Sequence, residues 1–83
     1  MTDLQETYQR YAVQYDGLVQ EWLRSDNTEL QRMYIAGSLA LYSRMLSAVA
    51  IVSNNADAAP RWQSKAYQWW VESCRHDPTQ PPS

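Results

Sequence analysis

Hydrophobic positions are densest in the middle of the chain, between Leu30 and Val52. On a helical wheel they fall on two sides rather than one. The first side carries Leu30, Met33, Tyr34, Leu41, Ala48 and Ile51. The second side carries Ile35, Leu39, Tyr42, Leu46, Val49 and Val52. A helix that is apolar on both sides must be covered on more than one face. We therefore expect the flanking segments, helped by a second copy of the chain, to enclose it.

The segment before this stretch predicts a first helix over residues 3–24. Its apolar positions are separated by alternating steps of four and three residues: Leu4, Tyr8, Tyr11, Tyr15, Leu18 and Trp22. This heptad spacing is typical of a bundle helix and of a short coiled coil. Thr2 and Gln5 match a capping box at the start of the helix.

Residues 25–28 read Ser-Asp-Asn-Thr, a run that favours caps and turns over helix interiors. We expect Asp26 or Asn27 to cap a second helix over residues 28–53. Because the connection is short, the first two helices should pack as an antiparallel hairpin.

A second break covers residues 54–59. Asn54 or Asn55 suits the left-handed conformation that ends a helix, and Asp57 suits the cap of a third helix over residues 58–75. The sequence thus predicts an all-α, three-helix antiparallel bundle in a single domain, residues 1–76. Residues 77–83 are rich in proline and are expected to be disordered.

Composition narrows the functional classes. The chain has 83 residues, a formal charge of −2 and one cysteine, so it forms no internal disulfide. A domain this small is marginally stable alone, which favours a homodimer. No basic patch is present to follow a phosphate backbone, so nucleic-acid binding is not expected. The N-terminus has no apolar signal core, which predicts a cytoplasmic protein.

A membrane span over the central stretch is disfavoured by charge. Arg32, Arg44 and Asp57 divide it into uncharged runs of 11 and 12 residues, whereas a spanning helix needs about 20 mostly apolar residues. Membrane association through residues 30–52 stays as an alternative.

Catalytic chemistry has little support. A nucleophile, a base and a carboxylate come together only at Cys74, His76 and Asp77, and helical residues two apart point in different directions. Two glycines are too few for a phosphate loop, and no metal-ligand spacing occurs. We expect no enzyme activity, no metal and no cofactor.

Aromatic residues are the remaining signal, with four Trp and six Tyr but no Phe. Both types suit places where one end of the side chain is dry and the other is polar, and both are enriched at interfaces. Many of them should form the core between the first and third helices. The adjacent pair Trp69 and Trp70 cannot easily be buried together, because neighbours on a helix diverge by about 100°. One of the two should be exposed.

These residues predict a small, non-catalytic protein that binds another protein stoichiometrically, as an adaptor, a chaperone-like cover or an inhibitor. Phages and mobile elements often encode small proteins of this kind. The candidate partner-binding residues are Trp69, Trp70, Tyr67, Trp62, Tyr8, Tyr15 and Arg44. Arg44 lies either on a solvent strip with Ser47 or inside an interface. A small-ligand pocket lined by Tyr and Trp is a second alternative.

Overall fold

Three helices make up the part of the protein that the structure describes. The computed structural model describes residues 3–77 and Thr79, and its helices are α1 (Leu4–Trp22), α2 (Glu29–Val52) and α3 (Ala59–Arg75). A single 3₁₀ turn, Ala56–Ala58, precedes α3, and the described residues contain no strand. The all-α three-helix prediction is confirmed. Each helix is slightly shorter than its predicted range of 3–24, 28–53 or 58–75. The predicted cap at Thr2 and most of the predicted disordered tail, 77–83, lie outside the described residues.

Side-chain caps fix the start of the first two helices. Asp3 caps α1 and accepts a hydrogen bond from the Gln5 N–H at 3.0 Å. Thr28 caps α2 through a full capping box, in which the Gln31 N–H donates to the Thr28 hydroxyl and the Gln31 side chain accepts from the Thr28 N–H. The prediction that Asp26 or Asn27 caps α2 is therefore wrong, because a better box begins one residue later.

Asn27 closes the preceding helix instead. Its side-chain amide donates to the carbonyl of Glu21 at 2.6 Å and to that of Arg24 at 3.2 Å. Carbonyls at a helix end lack the usual partner four residues on, and that of Glu21 also accepts from the Arg24 N–H at 3.2 Å. In the same turn Arg24 forms an exposed ion pair with Asp26 at 3.1 Å. The hydrogen bond and the positive charge of Arg24 lower the pKa of Asp26 below its ordinary value.

The second turn is built differently. Asn54 has φ of 61°, so the predicted left-handed ending is confirmed, since Asn tolerates this conformation better than most residues. The predicted Asp57 cap is wrong: Ala58 occupies the cap position and no side chain caps α3. Pro60 lies in the first turn of α3, where its missing N–H costs little.

Small residues bring α2 and α3 close together. α2 buries five small residues: Ala36, Ala40, Ser43, Ser47 and Ala50. α3 also carries small residues, at seven-residue spacing: Ala59, Ala66 and Ser73. The Ser73 hydroxyl donates to the Met33 carbonyl at 3.0 Å, and a Cβ on Gly37 would lie 3.3 Å from the Ser73 oxygen. Bulkier residues would force the helices apart.

Large residues fill the space beside α1. Ile35, Leu39 and Leu46 of α2 are buried together with Tyr15 of α1. Leu39 and Leu46 are fully buried, which stabilises the fold by about 2 kcal/mol each.

One side of α2 is left uncovered within the chain. Leu30, Tyr34 and Leu41, which lie on the first apolar side defined above, are 61, 71 and 62% exposed. Within one chain, the flanking segments therefore cover only the second side of α2, and the expected cover of the first side by a second copy stays a prediction. α1 and α3 each offer one apolar stripe, and the two stripes meet each other and the second side of α2.

Candidate interaction surface

Aromatic side chains join α1 to α3 in a regular series. The Trp62 indole N–H donates to the Tyr8 hydroxyl at 2.9 Å, and the Trp69 indole N–H donates to the Tyr15 hydroxyl at 2.8 Å. In each pair the two residues are 54 positions apart in the sequence. The second pair follows the first by seven residues on both helices. Trp22 and His76, again 54 residues apart, have ring centroids separated by 5.6 Å. We call these three pairs the aromatic ladder.

Edge-to-face contacts connect the steps of the ladder. The Tyr15 ring lies 5.0 Å from Trp62, and Trp22 lies 5.3 Å from Trp69, both at nearly perpendicular planes. This geometry is the favourable one for aromatic rings. No Cα atom of α1 comes within 8 Å of one in α3 over the described helices, so the rings themselves span the gap.

Charged groups close the ladder at its Trp22 end. His76 Nδ1 lies 2.6 Å from a Glu29 carboxylate oxygen and Nε2 lies 3.8 Å from Glu72. The guanidinium of Arg32 covers the Trp22 ring at 5.4 Å, a cation–π distance. This end therefore ties the start of α2 to the end of α3.

The uncovered side of α2 forms a continuous apolar stripe. It consists of six exposed positions, which we call the α2 stripe: Leu30, Tyr34, Leu41, Met45, Ala48 and Val52. At 100° per residue they fall within about 60° of one another on the helix, on the side opposite Leu39 and Leu46. No acidic residue occurs in α2 after Glu29.

A groove beside the stripe extends this surface onto α3. Its floor is Ala40 and Ala66, and its walls include Leu41, Tyr67 and Trp70. It encloses about 390 Å³ because the floor residues are so small. Arg44 and Gln63 line the same groove. We call the α2 stripe and this groove together the open face.

Arg44 is the only charged residue of the open face. It is exposed and makes no salt bridge within the described part of the chain. Ser47 is buried instead, so the predicted solvent strip shared by Arg44 and Ser47 is wrong. Arg44 lines the groove together with Leu41 and Trp70.

The seven candidate binding residues divide between these two regions. Tyr8, Tyr15, Trp62 and Trp69 belong to the aromatic ladder, where each indole N–H and phenol is already paired. Tyr67, Trp70 and Arg44 lie on the open face. Trp69 is half-buried and Trp70 is 60% exposed, so the expectation that one member of the pair is exposed is confirmed.

Tyr34 and Met45 were absent from the candidate residues, although they belong to the open face. The signal was present in the sequence: α2 has two apolar sides, and the other two helices have only one stripe each to cover them. The ladder also had a signal, because Tyr8, Tyr15 and Trp22 repeat every seven residues, as do Trp62, Trp69 and His76.

Cys74 and His76 are the nucleophile and base that the sequence places close together. His76 is engaged with Glu29, and no hydrogen bond joins it to the half-buried Cys74. No group of three or more potential metal ligands occurs among the described residues.

Comparison with family models, curated proteins and solved structures found no match to this chain. By length and composition, α2 is the one helix in the described part of the chain that could cross a membrane, and 44% of its apolar window is buried in the fold.

Proposed function

We propose that this protein is a non-catalytic binding module that acts by stoichiometric contact with another protein chain through its open face. Adaptor, chaperone-like cover and inhibitor are the roles that such contact serves. The single observation that carries the proposal is the exposed α2 stripe, which continues into the Tyr67 and Trp70 walls of the groove.

The size of the open face supports this proposal. Tyr34, Tyr67 and Trp70 are 71, 71 and 60% exposed. Full burial of an aromatic side chain removes about 150–250 Å² from water, so these three residues alone expose on the order of 400 Å². The aliphatic side chains of the α2 stripe add a comparable area. Contiguous apolar patches beyond a few hundred Å² mark interaction sites.

The composition of the open face also resembles an interface. Tyr, Trp, Met and Arg are the residue types enriched at the centre of protein contacts, where acidic residues are depleted. Truncation of Trp, Tyr or Arg costs the most in such contacts. Trp70, Tyr67 and Arg44 lie side by side in the groove, an arrangement that suits an anchor for a helix or loop of a partner.

Membrane association is the competing function, favoured by the length and composition of α2. Two observations weigh against it. The formal charge is −2, whereas surface-bound helices are rich in Lys and Arg beside their apolar face. A spanning α2 would also have to leave its contacts with α1 and α3, including those of the fully buried Leu39 and Leu46. We therefore propose a cytoplasmic location.

The test compares the wild type with Leu41→Asp, Trp70→Ala and a matched control, Val13→Asp. Val13 is 68% exposed on α1, away from the open face. Each purified protein is used as bait in extract from its native host, and the captured species are quantified by mass spectrometry. We expect wild type and Val13→Asp to retain a protein in stoichiometric amount, and the two open-face variants to lose it at unchanged helicity by circular dichroism.

Equal capture by all four proteins would contradict the proposal, because binding would then not use the open face. Flotation of the wild type with phosphatidylcholine–phosphatidylglycerol vesicles, abolished by Leu41→Asp, would contradict it in favour of the membrane function.

A further inference from the structure

We infer that the chain covering the α2 stripe is a second copy of this protein, with the two α2 helices packed antiparallel about Leu41. This inference rests on the proposed function and names the partner. It is carried by the order of residue sizes along the stripe, by its area and by its charge.

The residues of the α2 stripe complement in size those of a second α2 stripe that runs in the opposite direction. In an antiparallel pair centred on Leu41, positions equally distant from Leu41 oppose each other. Gly37 and Met45 are each four residues from it, Tyr34 and Ala48 are each seven, and Leu30 and Val52 are each eleven. Each layer therefore combines a large side chain with a small one, or two aliphatic side chains of medium size.

Packing follows from this pairing. Well-packed interfaces reach the density of protein interiors, and facing layers fill space best when large residues meet small ones. Tyr34 is 71% exposed and would pack over Ala48 of the other copy, which has no side chain beyond Cβ to oppose it. Met45 would lie level with Gly37 of the other copy, which is half-buried near Ser73 of its own α3 and adds no side chain to the contact.

The arrangement is also electrostatically acceptable. Arg44 lies three residues from Leu41 and therefore opposes Ser38 of the other copy, not Arg44. The two guanidinium groups are six residues apart along the axis, about 9 Å at 1.5 Å per residue. Arg44 lies on the α3 side of the stripe, where it reaches the rim of the contact. Antiparallel helices also place their opposite dipole ends together.

The α3 walls extend the contact. A two-fold axis that lies in the plane of the contact, perpendicular to α2, leaves α3 of both copies on the same side. Tyr67 and Trp70 border the groove next to Leu41, so those of both copies meet near the axis. Counting these aromatics and the stripe, each copy offers an area on the order of the 800 Å² per partner of a standard interface.

The test uses single cysteines in a Cys74→Ala background, because Cys74 is the only native cysteine. The variants are Leu41→Cys, Tyr34→Cys, Ala48→Cys and the outward-facing control Val13→Cys. Each protein, and an equal mixture of the Tyr34 and Ala48 variants, is oxidised under native conditions. Covalent dimers are then measured on non-reducing gels, beside native mass spectrometry of the unmodified chain.

We expect a native dimer, rapid cross-linking of Leu41→Cys, and rapid cross-linking of the mixture. Tyr34→Cys alone and Ala48→Cys alone should cross-link no faster than the control. In the antiparallel pair, two copies of position 34 are separated by 14 residues, about 21 Å along the axis, far beyond disulfide reach. Leu41→Asp should weaken the dimer by on the order of 100-fold, because two carboxylates would meet at the axis.

Other outcomes overturn the inference in distinguishable ways. Self-cross-linking of Tyr34→Cys without cross-linking of the mixture would show a parallel pair. A monomer without cross-links whose open face captures a different protein would remove the second copy and leave the proposed function standing. A monomer that binds only vesicles would overturn both.

Discussion

The aromatic ladder and the open face contain the same residue types, but the ladder pairs them within the chain and the open face exposes them. In the ladder, Trp62 and Trp69 donate to Tyr hydroxyls across the gap between α1 and α3, so polar tips and apolar rings are both satisfied. On the open face, Tyr34, Tyr67 and Trp70 are mostly exposed. The difference teaches that Tyr and Trp content alone does not mark a binding site. What distinguishes the two regions is whether the facing helix supplies a partner at the same level.

The largest expected contrast lies between two leucines two residues apart on α2. Leu39→Asp should unfold the protein, because it places a carboxylate where the leucine has no exposure and an unpaired buried charge costs more than about 4 kcal/mol. Leu41→Asp should keep the helical signal, because Leu41 is 62% exposed. Circular dichroism with thermal melting measures both. A folded Leu39→Asp protein would contradict the distinction between the buried side of α2, which carries Leu39, and its exposed side, which carries Leu41.

The adjacent tryptophans should separate next. Trp69→Ala removes a ring that contacts Trp22 and pairs with Tyr15, and we expect a loss of about 3 kcal/mol in the free energy of unfolding. Trp70→Ala should cost the folded monomer less than about 1 kcal/mol, as surface substitutions do. Urea unfolding at a concentration that keeps the protein monomeric measures both. Similar losses for the two variants would place Trp70 in the core as well.

Removal of single hydroxyl groups tests the hydrogen bonds of the ladder. Tyr15→Phe leaves the Trp69 N–H without its acceptor in a partly buried setting, which we expect to cost about 1 kcal/mol. Tyr34→Phe is the matched control on the open face and should change stability by less than about 0.5 kcal/mol. The urea unfolding midpoints of the two variants measure this difference in stability. Equal midpoints would mean that ring packing alone, without the hydrogen bond, stabilises the ladder.

The smallest effect belongs to the turn outside both regions. Arg24 lowers the pKa of Asp26, so the folded state favours the charged carboxylate. The resulting stability is present above the unfolded pKa of Asp26 and is lost as the pH falls through the folded value. Asp26→Asn should therefore lower the melting temperature slightly at pH 7 and leave it unchanged at pH 2. A difference that persists at pH 2 would have another cause, because the wild-type carboxylate is then protonated.

The sequence predicts the helices well and their mutual arrangement less well. Periodicity and the breaks at 25–28 and 54–59 locate all three helices within two residues, because these signals are local. The α2 cap was misplaced because Asp26 and Asn27 are themselves good cap residues, although Thr28 and Gln31 have the same capping-box spacing as Thr2 and Gln5. How much of α2 is covered within one chain is not a local signal, because exposure depends on how many apolar stripes the other helices can still offer.

The candidate site was predictable in part. Divergence of neighbouring residues on a helix separates Trp69 from Trp70, yet only the position of α1 decides which of the two is buried. By residue type alone, Tyr8 and Tyr15 resemble interface residues. In the structure they pair with Trp62 and Trp69, which lie at the same level on α3. Such pairing depends on the relative shift of two helices that are not adjacent in sequence.

The placement of the four tryptophans gives the protein its own optical reporter. Trp22, Trp62 and Trp69 are held edge-on against other rings, so their fluorescence should resist iodide quenching and report whether the fold is intact. Trp70 is 60% exposed in the single chain, so its emission should be quenched readily while the groove is uncovered. When a partner covers the groove, that component alone should shift to shorter wavelength, without any added label.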